Sequence, residues 1–149
     1  MAQRTGRMEI EIRKHFDEIL AATRSVLGDL NIEEDISKRR ALLKVKGSFG
    51  VFDVRITEII DQEKRKYAYY LIHNGKVEYG CDNAPDIKAL KLKYRDAYCR
   101  HLNEPVPHAH GKGKKSLELT DEMSVEDFFK RIKERDSTQK CKNRRKGLS

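Results

Sequence analysis

The stretch Tyr67-Ala68-Tyr69-Tyr70-Leu71-Ile72-His73-Asn74-Gly75-Lys76-Val77-Glu78-Tyr79-Gly80-Cys81-Asp82 decides how the rest of this chain is read. Aromatic and branched side chains crowd Tyr67 to Ile72, as a half-buried strand requires. Asn74-Gly75 supplies the two residues that tolerate positive φ in a type I′ turn, and Lys76 to Cys81 alternates back as a second strand. A two-residue loop sets Ile72 opposite Val77, Tyr70 opposite Tyr79 and Ala68 opposite Cys81. Those six then share one face, with Glu78 on the other. Asp82-Asn83-Ala84-Pro85 follows, where proline stops the ladder and Asp82 and Asn83 can turn the chain. Polar residues just beyond a strand end on a rigid scaffold are also candidates for chemistry.

Working outward, Ala41 to Lys46 reads as a strand with Leu43 and Val45 on one face, and Gly47-Ser48-Phe49-Gly50 as a turn. Val51 to Ile60 alternates Phe52, Val54 and Ile56 against Asp53, Arg55 and Thr57, and Asp61 to Lys66 is a polar loop into the hairpin. Before them, residues 8–30 carry Ile12, Phe16, Ile19, Leu20, Val26 and Leu27 at helical spacing, with Gly28 as a stop signal. Asn31 to Arg40 is a charged connector. Residues 86–103 fit helix and strand equally, and Leu117-Glu118-Leu119 is a candidate edge strand. Ser124 with Asp127 forms a capping-box variant, stapled by Met123 and Phe128, which predicts a final helix with Val125, Phe129 and Ile132 inward. From Asp136 the basic sequence lacks apolar periodicity and reads as an unstructured tail. The expected fold is α+β: an antiparallel β-meander of four to five strands packed with an N-terminal and a C-terminal helix. Its organisation is a helix and connector over 1–35, an α+β domain over 36–135 and a tail over 136–149.

Composition bounds the function. With 149 residues, 38% of them charged, and a mean hydropathy of −0.80, the chain suits one soluble domain. No apolar run reaches ten residues and the first residues lack a hydrophobic signal core, so a cytoplasmic protein without membrane attachment is expected. Cys81, Cys99 and Cys141 lack metal-site spacing and are expected to be free thiols. The net charge of +8 is unevenly placed, with 5 basic and 8 acidic residues in 1–35, 22 and 15 in 36–135, and 5 and 1 in 136–149. An acidic head on a basic body suits nucleic-acid binding by the body.

On these residues the chain resembles the TumE family of toxin–antitoxin system toxins, over roughly residues 42–134. The likeness rests on Tyr67-x-Tyr69, the glycine-containing hairpin turn and Tyr79-Gly80-Cys81-Asp82-Asn83-Ala84-Pro85, where the family shows Tyr-Asp-Asn-Ala-Pro. It continues through the His108-x-His110 pair after proline to a closing helix. The resemblance implies a toxin acting on RNA, encoded beside a DNA-binding helix-turn-helix antitoxin.

The residues themselves suggest how RNA could be attacked. Cleavage needs a base for the 2′-hydroxyl proton, an acid for the leaving oxygen and positive charge at the phosphate. His108 and His110 alternate on a strand and could converge as base and acid, with Asp82 orienting an imidazole. Asn83, Lys112 and Lys114 would hold phosphate, while Tyr94, Arg95, Tyr98 and Arg100 offer stacking and cationic groups. This reading is a metal-independent ribonuclease that needs no cofactor. Two alternatives stay open: a non-enzymatic nucleic-acid- or partner-binding module, and a metal-dependent nuclease using His108, His110 and Asp82. His15, His73 and His101 carry no case for function in the sequence.

Overall fold

Strand-forming segments alternate with tight turns from Gly28 to Asp82, and each strand pairs with the one before it. In the computed structural model, which describes residues 2–62 and 64–147 and side chains within 8–62 and 64–136, seven strands form one sheet in chain order. They are β1 (Gly28–Ile36), β2 (Arg40–Phe49), β3 (Phe52–Asp61), β4 (Lys64–His73), β5 (Lys76–Asp82), β6 (His108–His110) and β7 (Leu117–Leu119). Every neighbouring pair is antiparallel. Helices α1 (Ala2–Val26) and α3 (Val125–Gly147) cover one face, and α2 (Ile87–Tyr94) lies between β5 and β6 in the chain.

The meander and the two terminal helices agree with expectation; the strand number exceeds it. β1 falls in the supposed connector. Its side chains are exposed or half-buried, so it shows no burial alternation, and it belongs to the sheet through backbone pairing and matched charge, with Glu33 opposite Lys44. A charged outer strand of this kind also resists edge-to-edge association. α1 accordingly stops at Val26, four residues short of the predicted end, and Leu27 turns back onto it by donating to the Thr23 carbonyl at 2.8 Å. Phe16, Ile19 and Leu20 of α1 share a core with Leu43, Val45, Val54 and Ile56 of the sheet. Residues 87–94 resolve as a helix because Asp86 caps it, its carboxylate accepting from the Ala89 amide at 2.9 Å. A 3-10 segment over Arg95–His101 follows.

α3 begins as predicted. Ser124 and Asp127 exchange reciprocal bonds of 3.1 Å, and Met123 and Phe128 are both buried. Its backbone then stays helical to Gly147, where the sequence reading placed an unstructured tail. No proline or glycine interrupts Val125 to Lys146, so nothing local ends the helix.

The hairpin corrects the expected register. Asn74 and Gly75 take the positive φ values the turn requires, 50° and 74°, and Ile72 faces Val77. Beyond that pair the register shifts, Leu71 facing Tyr79, Tyr70 facing Gly80 and Ala68 facing Asp82. Glu78 is the extra residue of a β-bulge. Tyr69, Leu71, Tyr79 and Cys81 therefore point into the main core with Phe128 and Ile132, while Tyr70 and Gly80 share the opposite face. A Cβ on Gly80 would stand 2.2 Å from Cδ1 of Tyr70, so glycine is what lets that ring lie flat across β5. Gly80→Ala should cost about 1–3 kcal/mol in urea denaturation, and much of the loss should vanish in a Tyr70→Ser background. Equal midpoints for Gly80→Ala and the parent would contradict this packing.

Candidate functional site

Asp82 and two histidines remote from it in sequence meet on the face of the sheet away from α1 and α3. β6 pairs with the end of β5 so that Asp82 faces His108, Cys81 faces Ala109 and Gly80 faces His110. Strand alternation sends Cys81 and Ala109 into the main core and leaves Asp82, His108 and His110 together on the other side. The loop before β6 is tied down by its backbone, with the Val106 amide donating to the Asn83 carbonyl at 3.1 Å.

The distances are short. His108 Nε2 lies 3.4 Å from Asp82 Oδ1, His110 Nε2 lies 3.8 Å from Asp82 Oδ2, and the two rings stand edge to face with centroids 4.8 Å apart. Asp82 also accepts from the Ala84 amide at 2.9 Å and the Tyr70 hydroxyl at 2.7 Å. His108 Nδ1 is 2.6 Å from the Val106 carbonyl, which fixes the ring. His110 Nδ1 is buried with no hydrogen-bond partner among the described residues. Burial, reinforced by His108, lowers the His110 pKa, with Asp82 opposing. Burial and the bond to Asp82 push the Tyr70 hydroxyl well above its ordinary value.

The three side chains converge as the sequence suggested, but they do so below the surface and not in an open cleft. Asp82, His108 and His110 expose 6%, 1% and 8% of their surface. The Tyr70 ring lies beside them with the Lys114 ammonium 5.0 Å from its centroid. Among the other expected residues, Lys112 reaches Glu78 at 4.0 Å. Asn83 spans back to β4, accepting from the Tyr67 amide at 3.0 Å and donating to the Arg65 carbonyl at 2.9 Å, so its amide extends the ladder and is not free to hold phosphate. Tyr94 stacks on His101 at 3.6 Å and donates to Glu104 at 2.6 Å, while Lys91 covers Tyr98 at 5.0 Å. Both tyrosines pack against the small core of Ala89, Leu90 and Val106. Arg95 ends α2 with a positive φ of 54°, and it and Arg100 are exposed. A concavity of about 590 Å³ between the sheet and α3 is lined by residues including Leu71, Tyr79 and Arg131, and none of the three converging residues lines it.

A second polar cluster went unread in the sequence. Glu58 continues the apolar phase of Val54 and Ile56 and is fully buried, which obliges it to find cations. His15 of α1 approaches it at 2.9 Å, and Arg65 and Tyr69 of β4 both donate to it. Arg65 also reaches the Met123 carbonyl at 2.8 Å and Glu122 at 3.0 Å, so the cluster joins α1, the sheet and the entry to α3. Burial alone would raise the Glu58 pKa; the bonds from His15, Arg65 and Tyr69 outweigh it and hold the carboxyl low. The missed signal is the carboxylate in phase with an apolar strand face.

The chain was also compared with protein-family models, curated proteins and solved structures, and none of them matches it. No helix among the described residues is long and apolar enough to cross a membrane.

Glu58→Gln should cost about 3 kcal/mol, because a neutral amide replaces the buried carboxylate on which half-buried Arg65, Tyr69 and His15 converge. Glu58 has a lowered folded pKa, so its contribution is full above the unfolded value of about 4.3 and disappears as pH falls through the folded value. The stability gap between parent and Glu58→Gln, measured by chemical denaturation, should therefore narrow below about pH 4. A gap that stays constant into acid would show that Glu58 is not held as a carboxylate.

Proposed function

We propose that this protein is the toxin component of a toxin–antitoxin pair of the TumE type, acting on RNA in the cytoplasm with Asp82, His108 and His110 as its reacting centre. The observation that carries the reading is the cross-strand pairing of β5 and β6, which gathers a carboxylate and two imidazoles from positions 26 and 28 residues apart. RNA phosphodiester cleavage draws on this set of groups for proton transfer and charge neutralisation. The net charge of +8 supports an anionic polymer as substrate. The motif Tyr79-Gly80-Cys81-Asp82-Asn83-Ala84-Pro85 and the His108-x-His110 pair carry the family proposal, and with it a cognate DNA-binding helix-turn-helix antitoxin as partner.

The geometry restricts the chemistry. Two imidazoles this deeply buried cannot both receive a substrate directly, so histidine base and acid acting without help fits less well than a centre that presents one reactive position outward. Binding without catalysis through Tyr94 and Tyr98 is also less favoured, since one ring face of Tyr94 is taken by His101 and Lys91 lies over Tyr98.

Purified protein incubated with structured RNA tests the reading. Asp82→Ala and His110→Ala should each lower the cleavage rate about 10²–10⁴-fold, while His101→Ala leaves it unchanged. RNA degradation that is equal in all four proteins would come from a contaminant and refute the proposal. Salt-sensitive binding without cleavage, retained in Asp82→Ala, would instead identify a binding module.

A further inference from the structure

We infer that Asp82, His108 and His110 form a binding site for a first-row divalent cation, with zinc the best match. The inference begins with the tautomer of His108. Its Nδ1 lies 2.6 Å from the Val106 carbonyl, which can only accept, so Nδ1 carries the proton. In the neutral ring, Nε2 then bears a lone pair, and it faces Asp82 Oδ1 at 3.4 Å. A charge-assisted N–H···O bond would close to about 2.8 Å. The longer approach suits two acceptors turned toward a shared position.

His110 also turns its Nε2 toward Asp82, but its ring has no carbonyl anchor. Its Nε2 stops 3.8 Å from Asp82 Oδ2, beyond hydrogen-bond length, and its Nδ1 is buried without a hydrogen-bond partner among the described residues. A buried ring left this poorly satisfied points to a missing ligand. Donor atoms from all three residues lie within 4.8 Å of one another. In tetrahedral zinc with bonds of 2.0–2.1 Å, neighbouring ligand atoms stand about 3.3 Å apart. The closest pair already matches, and the others need to contract by small side-chain rotations.

The surroundings are those of a metal site. Metal-bound histidine usually gives its other N–H to a carbonyl or carboxylate, which is the Val106 contact of His108. Ligating carboxylates are themselves hydrogen-bonded, as Asp82 is by the Ala84 amide and the Tyr70 hydroxyl. Each Asp82 oxygen keeps a lone pair after those bonds. Two nitrogens and one oxygen suit zinc and its neighbours better than magnesium or calcium, which take oxygen ligands. Three protein ligands would leave a bound zinc able to take a water or a phosphate oxygen as well, which is the chemistry it would supply here. That catalytic use rests on the RNA reading above; the cation site does not.

The test is calorimetric titration of untagged, chelator-treated full-length protein with zinc chloride, with cobalt(II) absorption as a second reading. One zinc should bind per chain, magnesium should not compete, and cobalt should give tetrahedral visible bands. His108→Ala, His110→Ala and Asp82→Ala should each weaken zinc at least about tenfold, and His101→Ala should not. Should an alanine variant fail to fold, the parent still decides, because its melting temperature must rise with zinc and not with magnesium. Absence of zinc uptake by the parent, or uptake that survives loss of both His108 and His110, overturns the proposal. Zinc bound at one per chain with RNA left intact would keep the site and remove the ribonuclease reading. RNA cleaved at this centre by a protein that takes up no zinc would do the reverse.

Discussion

The bulge at Glu78 sets which side of the sheet every later residue of β5 occupies. Without it, Tyr79 and Cys81 would follow Tyr70 and Ala68 to one face. With it, Tyr79 and Cys81 complete the apolar core beneath α3, while Gly80 and Asp82 turn to the opposite face. The half-turn is stabilised from both directions, by burial of Tyr79 and Cys81 on one side and by the Tyr70 hydroxyl on Asp82 on the other. β6 then needs only three residues, because its pairing with β5 delivers His108 and His110 to the face already holding Asp82.

The two faces divide the labour. The helical face carries most of the buried apolar surface and is fastened by the Glu58 cluster, where one carboxylate links α1, β3, β4 and the entry to α3. Such a network contributes little over a well-packed apolar equivalent, yet breaking it is expensive, so its use is to fix how the helices dock. The opposite face has a much smaller core, Ala89, Leu90 and Val106, and can give space to polar side chains. Rigid backbone anchors, the Val106 carbonyl and the Ala84 amide, orient the ring and the carboxylate there. Preorganisation of this kind is what a reacting centre requires.

Much of this was legible in the residues, and what was not has physical reasons. Asn74-Gly75 announced the turn and Ser124 and Asp127 the start of α3; that Asp82 and the two histidines could meet was one reading of their types, and the β5–β6 pairing that brings them together was not read. The bulge was hidden because half-exposed Glu78 fits either face, so polarity alone does not fix the phase beyond Val77. β1 was hidden because a strand held by backbone pairing and charge shows no alternation to read. The cap by Asp86 was available, but Leu90 and Tyr94 satisfy helical and extended periods alike. Burial of the histidines was hidden because it depends on tertiary packing, which strand alternation does not report.

The most direct measurement is a long-range proton–nitrogen NMR spectrum of the protein labelled with ¹⁵N-histidine, recorded metal-free at neutral pH. His108 should be found as the neutral ring protonated at Nδ1, its Nε2 bare and shifting on addition of zinc together with a His110 nitrogen. A His108 ring protonated at Nε2, or one that ignores zinc while His101 responds, would contradict the account.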